Sequence, residues 1–276
     1  MNQDEFNKVE APAIEQLQQL GWSYLPGAEL SPDTSNERSY FRDVVLTQRL
    51  SAAIKRINPW ISDENCRKVM REITHPIVAT QTEANHKLYQ TLVNYQSVEQ
   101  DLGKGRKGQT VKIIDFDHPE NNEYLCTNQF KIEGVNQNII PDIILFVNGL
   151  PIAVIECKSP YITNPSAEGI NQLRRYANLR FPHEDEGAEK LFWYNQLMVT
   201  TARDAAKVGT ISSSAQYYAD WKDAYPFTDT ELADGDINPQ QRLIAGLFSR
   251  ENFLDIIQNF IPWIRMISAW PLVVAK

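Results

Sequence analysis

The chain has 276 residues, of which 42% are apolar and 22% charged, and its formal net charge is −8. This composition is typical of a globular protein, and its negative balance excludes a uniformly basic nucleic-acid-binding surface, so a polyanion would have to meet a local basic patch or a metal ion. Cys66, Cys126 and Cys157 show no paired spacing. We therefore predict neither a disulfide framework nor a structural zinc site, and, since no uninterrupted apolar tract could span a membrane, a cytoplasmic protein without a membrane partner.

The first hundred residues carry apolar positions at helical spacing. Helices are predicted over residues 10–20, 39–57, 62–73 and 81–93. Ser62 is suited to cap the third of these helices. We interpret residues 1–100 as an N-terminal helical extension that packs on a core.

The pattern then changes to that of strands. Strands are predicted over residues 109–116 and 123–133, a hairpin over 141–160, a helix over 164–180, a strand over 192–202, and helices over 239–248 and 251–260. This order indicates an α/β fold with a mixed β-sheet flanked by helices. We assign residues 101–261 to the core and residues 262–276 to an atypical tail.

The hairpin, with the sequence PDIILFVNGLPIAVIECKSP, contains the candidate site. Asn148-Gly149 is typical of a tight turn. Alternation along the second strand places Glu156 and Lys158 on one face, and Asp142 opens the first strand, across from the end of the second. Solvated strand ends would explain isolated charges, but charges beside buried apolar runs are costly unless they are paired or bind a cation.

Register sets a condition on this site. A two-residue turn in a regular hairpin pairs Asp142 with Ile155 and directs its side chain away from Glu156. We therefore predict an odd-numbered loop or a β-bulge, either of which would bring the two carboxylates to one face.

Two converging carboxylates indicate a site for a hard divalent cation. We predict that Asp142 and Glu156 hold Mg²⁺ with the backbone carbonyl of Cys157 as a further ligand. The chemistry would be metal-assisted phosphodiester hydrolysis. Lys158 would orient or deprotonate the attacking water, or stabilise negative charge in the transition state.

The motif Pro141-Asp142, a hairpin, then Glu156-Cys157-Lys158 resembles that of the PD-(D/E)xK nuclease superfamily. The wider segments IIDFDHPENNEYLCTNQFKIEG and IPDIILFVNGLPIAVIECKSP are similar to the restriction (R) subunit of type I restriction enzymes. LGWSYLPG, NQLRRYANLR and GLFSRENFLDIIQNFI also fit that family. The resemblance covers roughly residues 14–261.

The resemblance implies a restriction-endonuclease-like core, with Asp142, Glu156 and Lys158 as the catalytic residues. It also implies a Gln-x-x-x-Tyr motif at Gln172 and Tyr176, which share a helix face and could contact DNA phosphate or steady Lys158.

Several further residues are weaker candidates. Arg174, Arg175 and Arg180 could form a local positive patch for DNA. Glu83 could be an additional acidic ligand, although a glutamate in a first helical turn also suits the helix dipole. The basic loop over residues 103–108 could contact phosphate or be an ordinary solvated turn, and the four histidines show no ligand spacing.

As a member of that family, the protein would cleave foreign unmethylated double-stranded DNA with Mg²⁺, or Mn²⁺ in its place. Its partners would be the methyltransferase (M) and specificity (S) subunits. Motor domains would use ATP in the full-length subunit, and this sequence holds no nucleotide-binding P-loop. Two alternatives stay open: a non-catalytic docking or DNA-binding module, and another PD-(D/E)xK nuclease that acts in repair.

Overall fold

The computed structural model describes residues 3–181, 183–232 and 236–261, so the predicted tail over 262–276 lies outside the described residues. The strands of this part are β1 (Ser23–Tyr24), β2 (Gln96–Asp101), β3 (Arg106–Val111), β4 (Tyr124–Asn128), β5 (Ile132–Glu133), β6 (Asn138–Ile139), β7 (Ile143–Val147), β8 (Leu150–Cys157), β9 (Leu197–Thr201), β10 (Ala206–Gly209) and β11 (Ala219–Asp220).

The helices of the described residues are α1 (Gln3–Glu5), α2 (Ala11–Gln19), α3 (Thr47–Ile57), α4 (Asp63–Thr74), α5 (Gln81–Asn94), α6 (Pro165–Tyr176), α7 (Glu189–Phe192), α8 (Asp229–Leu232), α9 (Pro239–Phe248) and α10 (Arg250–Asp255). A π-helical turn, Phe6–Glu10, joins α1 to α2, and a second one, Ile256–Phe260, extends α10. Among the described helices, none has both the length and the apolar character that crossing a membrane requires.

A mixed sheet with the strand order β1-β4-β7-β8-β9-β10-β11 forms the centre of the described structure. β1 is parallel to β4 and β8 is parallel to β9, whereas the other neighbours are antiparallel. Every residue of β4, β7, β8 and β9 is buried, as expected of strands covered on both faces. Helix α6 packs on β8 and β9, and α2 packs on β1, β4 and α9. The predicted mixed sheet flanked by helices is confirmed, while the domain boundaries stay predictions.

Side-chain caps explain where two of the predicted helices begin. The Ser62 hydroxyl accepts a hydrogen bond at the start of α4, and Thr80 does the same for α5. The predicted helices over 62–73 and 81–93 are therefore confirmed. The helix predicted over 10–20 continues back to residue 3 through the π-helical turn.

The predicted helix over 39–57 is correct only for its second half, α3. The preceding backbone finds its hydrogen bonds elsewhere. Leu46 N donates to Gly149 O in the hairpin turn, and the Asp43 carboxylate accepts bonds from two loop amides. Since these groups are already satisfied, the apolar residues of this loop pack in the core without a helix.

Two of the predicted strands are placed correctly but are too long, and a third is displaced along the chain. The strand over 123–133 divides into β4 and β5 at Gln129, whose φ of 51° cannot continue a strand. The strand predicted over 109–116 is displaced toward the N-terminus, because β3 begins at Arg106 and ends at Val111. The strand predicted over 192–202 shortens to β9, and its first residue, Phe192, is the last residue of α7. The predicted helices over 164–180, 239–248 and 251–260 correspond to α6, α9 and α10 with its π-helical turn.

The turn between β7 and β8 is the predicted two-residue turn. Asn148 has φ 52° and Gly149 has φ 80°, as in a type I′ hairpin turn. A Cβ atom at Gly149 would lie 2.5 Å from Leu46 O, so the start of α3 can pack on the turn only if this residue is glycine. The hairpin is thereby fixed at the turn and carries its charged residues at the other end.

Candidate active site

Asp142 and Glu156 meet at the open end of the β7–β8 hairpin. A register shift between Leu145 and Phe146 places one extra residue in β8, which is a β-bulge. When the pairing is continued past Ile143, the first residue of β7, Asp142 lies opposite Glu156. The predicted condition is therefore met by a two-residue turn combined with a bulge, and both carboxylates are on one face of the sheet.

The two carboxyl groups are close enough for each to influence the pKa of the other. Asp142 Oδ2 accepts a hydrogen bond of 2.7 Å from Cys157 N, and Oδ1 accepts one of 3.2 Å from Gln129 Nε2. Glu156 is completely buried and Asp142 is 8% exposed. Two carboxyl groups this close cannot both be ionised at low cost unless a cation compensates them.

Lys158 supplies a positive charge to this pair. Its Nζ lies 2.6 Å from Glu156 Oε1 and 2.9 Å from Cys157 O, which are two of the three groups predicted to hold Mg²⁺. Glu156 Oε2 is buried and receives no hydrogen bond from an N–H or O–H group of the described residues. The oxygen atoms at this site therefore already accept one cation and retain unused acceptor capacity.

Burial dominates the electrostatics of the site. It raises the pKa of Glu156 well above the ordinary value, and the adjacent Asp142 raises it further. Burial also raises the pKa of Asp142, although Lys158 opposes this. For Lys158, burial alone would lower the pKa, but the charges of Glu156 and Asp142 outweigh it and raise the pKa. Burial and the proximity of the two groups thus favour the protonated form of the carboxyl pair, whereas the two carboxyl groups favour the charged form of Lys158.

Glu10 is a residue of the site that the sequence did not reveal. It is fully buried at the end of the π-helical turn. Its Oε1 accepts a hydrogen bond of 2.7 Å from Asn128 Nδ2, and its Oε2 accepts one of 3.2 Å from Gln129 Nε2, the same nitrogen that contacts Asp142. Burial raises the pKa of Glu10 to about 7. The amide of Gln129 thus connects the N-terminal helix to the carboxylate pair.

Glu5, one helical turn earlier, borders the same site. Its Oε2 accepts a hydrogen bond of 3.0 Å from Ser159 N, next to Lys158. Burial raises the pKa of Glu5, and Lys158 lowers it. No pattern in the sequence distinguishes Glu5 or Glu10 from the acidic residues that commonly occur near helix starts. A π-helical turn, which is frequent at functional sites, is likewise not visible in the sequence.

Helix α6 carries the predicted Gln-x-x-x-Tyr pair. Gln172 Nε2 donates a hydrogen bond of 2.6 Å to Tyr176 Oη, which donates one of 3.2 Å to Ile140 O. Ile140 immediately precedes Pro141-Asp142, so the pair fixes the chain that leads into Asp142. Burial raises the pKa of Tyr176 and keeps its hydroxyl protonated as a donor. In the described residues, the polar groups of this pair contact each other and the backbone rather than Lys158.

The predicted arginine patch is only partly available. Arg174 donates hydrogen bonds to two backbone carbonyl groups, and Arg180 pairs with Glu186. Arg175 lies over the ring of Tyr176, with 4.8 Å between the guanidinium carbon and the ring centre. Arg175 is therefore the one of these three whose charge is best placed to meet a ligand beside α6.

Glu83 is not brought to the carboxylate pair in the described structure. It is exposed in the first turn of α5, where its carboxylate accepts a hydrogen bond of 3.0 Å from Ala79 N. The observed contact is that of a helix cap. The basic loop predicted over residues 103–108 is a loop only in part: residues 103–105 lie in the exposed turn of the β2–β3 hairpin, whereas residues 106–108 belong to β3. Within this hairpin, Arg106 lies 3.7 Å from Glu99.

The donor set at the hairpin fits magnesium. In the part of the chain that the structure describes, no three His, Cys, Asp or Glu side chains form a metal cluster. The hairpin offers two carboxylates and one carbonyl instead, together with the buried, undonated Glu156 Oε2. Mg²⁺ is commonly held by one or two carboxylates, with water and substrate phosphate completing its shell. Two carboxylates and a carbonyl therefore suffice for such an ion.

Comparisons with known proteins agree with the sequence resemblance. The family model described as type I restriction enzyme R protein N terminus matches residues 2–217. A putative type I restriction enzyme MjaIXP endonuclease subunit from Methanocaldococcus jannaschii is 30% identical over 269 residues, covering 92% of this chain and 25% of that protein. The type I restriction enzyme HindI endonuclease subunit of Haemophilus influenzae is 30% identical over 265 residues, covering 92% of this chain and 24% of that protein. The chain thus spans about a quarter of the length of these relatives.

Proposed function

Because the chain belongs to the family of type I restriction enzyme R protein N termini, we propose that it is the DNA endonuclease domain of such an R subunit, with a PD-(D/E)xK core. The observation that carries the proposal is the buried Asp142–Glu156 pair with Lys158 bound beside it. A purely structural hairpin would place apolar residues at these positions, since buried charged groups are costly. Carboxyl groups with raised pKa values, clustered with a specific charge partner, are typical of functional sites.

The proposed cofactor is Mg²⁺, with Mn²⁺ as a substitute, held by Asp142, Glu156 and the carbonyl of Cys157. Such an ion supplies Lewis acidity to the scissile phosphate and lowers the pKa of the attacking water. Contacts within the protein orient these oxygen ligands in the absence of the ion. Cys157 N and Gln129 Nε2 hold the Asp142 carboxylate, while the pairing of β8 with β9 fixes the backbone at Glu156.

Lys158 is proposed to act as a cation and not as a base. Its pKa is raised by Glu156 and Asp142, so it remains protonated at neutral pH. A protonated lysine can orient a water molecule and can stabilise negative charge that develops on the phosphate. It cannot accept a proton from the water, and of the roles predicted from the sequence we therefore retain orientation and charge stabilisation.

The proposed substrate is double-stranded DNA, and the net charge of −8 requires local contacts with it. Lys158 and Arg175 lie on or next to the face of the sheet that bears the carboxylates, and they are the proposed phosphate contacts. The relatives are named as endonuclease subunits, which supports a multisubunit assembly. The proposed partners are methyltransferase and specificity subunits, and ATP-driven motor domains are proposed for the full-length subunit.

Plasmid nicking tests the proposal. Supercoiled DNA is incubated with the 276-residue protein and Mg²⁺, alongside Glu156→Ala and the near-isosteric Glu156→Gln. We expect the wild type to convert plasmid to the open circle and both variants to be inactive while retaining the wild-type circular dichroism spectrum. Glu83→Gln serves as an acidic-residue control, since Glu83 is exposed and bonded locally, and it should nick like the wild type.

Three outcomes would contradict the endonuclease proposal. Nicking by Glu156→Gln at the wild-type rate would assign the activity to another site or to a contaminant. Binding of DNA without nicking, at any Mg²⁺ or Mn²⁺ concentration, would favour the docking or DNA-binding module. A requirement for free DNA ends would instead favour a repair exonuclease of the same superfamily.

A further inference from the structure

Thr200 places a hydroxyl group where an apolar side chain would be expected. It is completely buried in β9, and its Oγ1 has no hydrogen-bond partner in the described part of the chain. A buried hydroxyl without a partner destabilises the folded state, whereas valine has nearly the same shape and carries no such cost. Packing alone therefore does not explain why position 200 is a threonine and not a valine.

The position of Thr200 suggests that explanation. In the parallel pairing of β8 with β9, Thr200 is the register partner of Glu156. Paired residues of neighbouring strands project from the same face of a sheet, so the Thr200 side chain lies beside the Glu156 side chain.

Helix α6 packs closely against the sheet at Thr200. A Cβ atom at Gly169 would lie 1.8 Å from Thr200 Oγ1 and 3.6 Å from Lys158 Cγ. The absence of a side chain at Gly169 lets the helix descend onto the sheet at this place. The Thr200 hydroxyl and the stem of Lys158 therefore both lie against Gly169 beneath α6, and the Lys158 ammonium reaches Glu156.

One oxygen of Glu156 has no hydrogen-bond donor in the described structure. A carboxylate can accept hydrogen bonds at both oxygens, and of these two Lys158 donates only to Oε1. Oε2 receives no hydrogen bond from a donor group of the described residues. Thr200 thus offers an unused donor beside a carboxylate that has an unused acceptor.

We propose that Thr200 is a positioning residue for Glu156: its hydroxyl donates a hydrogen bond to the Glu156 carboxylate and orients it for Mg²⁺. The inference rests on the proposed function, since it concerns the ligand of that ion. Hydrogen bonds to a ligating carboxylate orient it, and loss of such a partner typically weakens metal binding about 10–100-fold. The unsatisfied hydroxyl then lowers the stability of the metal-free protein, and its role is to orient Glu156 when the ion is bound.

The test separates stability from metal binding. Thr200→Val removes the hydroxyl and keeps the shape, while Thr200→Ser keeps the hydroxyl. Thr127→Val is the matched control, because Thr127 is also completely buried with an unpartnered hydroxyl but lies on β4, two strands away from β8. Melting temperature is measured without metal, and Mg²⁺ affinity is measured by isothermal titration calorimetry.

Both valine variants should melt at least as high as the wild type, with a rise of about 2–4 °C if the unsatisfied hydroxyl is fully relieved. Only Thr200→Val should lose Mg²⁺ affinity, by about tenfold or more, and Thr200→Ser should retain it. If Thr200→Val does not fold, Thr200→Ala replaces it in the comparison with Thr200→Ser.

The outcomes distinguish this inference from the proposed function. A wild-type protein that binds no Mg²⁺ would refute the proposed function. A wild type that binds Mg²⁺, together with unchanged affinity in Thr200→Val, would overturn the role of Thr200 alone. An equal loss of affinity in Thr127→Val would also overturn it, because that result would mean a general response of the sheet.

Discussion

The ammonium group of Lys158 lies 2.6 Å from Glu156 Oε1. The two residues are two positions apart at the end of β8, so their side chains lie on the same face of the sheet. The contact joins a completely buried carboxyl group to a lysine that is itself 9% exposed. Breaking a buried pair by removing one partner is usually costly, so both members are expected to matter for the state of the site. The same contact also means that Lys158 competes with any other cation for these oxygens.

Replacing Lys158 should therefore separate metal binding from cleavage. Lys158→Met keeps the length of the side chain and removes its charge, so Mg²⁺ affinity should stay equal to or exceed that of the wild type. Plasmid nicking should fall about 100-fold or more, because a charge that stabilises the transition state is lost. Calorimetric titration with Mg²⁺ and a nicking assay measure the two quantities.

A lysine away from the site provides the control for this prediction. Lys131 lies over the ring of Phe41, and Lys131→Met should change neither quantity. Weaker Mg²⁺ binding in Lys158→Met would contradict the idea that the ammonium competes with the ion.

Gly169 should not tolerate even one methyl group. Alanine normally favours a helix over glycine by about 1 kcal/mol, but here the new Cβ would lie 1.8 Å from Thr200 Oγ1. Overpacking of this kind costs about 1–3 kcal/mol, so Gly169→Ala should lower the free energy of unfolding in urea. Glu168→Ala, at an exposed position of the same helix, should stay within about 0.5 kcal/mol of the wild type. A stability of Gly169→Ala equal to that of the control would show that α6 can move away from the sheet.

The sequence predicted the parts of the site that depend on local pattern. Alternation placed Glu156 and Lys158 together, and Asn148-Gly149 located the turn. Pro151 marks the position of the bulge: it stands inside β8, and proline within a sheet is commonly found at a bulge because it has no N–H group.

The remaining parts of the site depend on contacts between distant segments. Glu10 reaches Asn128 across 118 positions of the sequence, and Gln129 becomes a bridge only because its φ of 51° turns the chain at the end of β4. The loop before α3 does not form the predicted helix for a similar reason, because Leu46 N donates its hydrogen bond to Gly149 O in the hairpin turn. Periodicity cannot report such partners, because it describes each segment alone.

Tyr176 should act on the site through Asp142. Tyr176→Phe removes the donor to Ile140 O and leaves the Gln172 amide without its acceptor, which should cost about 1–2 kcal/mol of stability. Because Ile140 leads directly into Pro141-Asp142, Mg²⁺ affinity should also decrease. Urea denaturation and calorimetric titration measure the two effects.

Tyr89→Phe is the matched control for this variant. Tyr89 is a largely buried tyrosine on α5, and its replacement should leave Mg²⁺ binding unchanged. If Tyr176→Phe lost DNA binding but kept full Mg²⁺ affinity, the phenol would be a phosphate contact and not a support for Asp142.

Glu10 should make the stability of the protein fall as pH rises. Burial raises its pKa to about 7 from an ordinary value of 4.5, so its neutral form is favoured in the folded state. A raised folded-state pKa contributes stability that is fully present below about pH 4.5 and is lost as pH rises through about 7. Glu10→Gln cannot ionise and should lack this loss, so the free energy of unfolding of the variant relative to the wild type should increase between pH 5 and pH 8. The titration of Asp142 and Glu156 is present in both proteins and largely cancels in this difference.

Urea denaturation at unit steps of pH measures this difference in the free energy of unfolding. The control is Glu15→Gln, at an exposed position on α2, whose profile should follow the wild type. Parallel profiles for Glu10→Gln and the wild type would mean that Asn128 and Gln129 keep Glu10 ionised in the folded protein throughout this range.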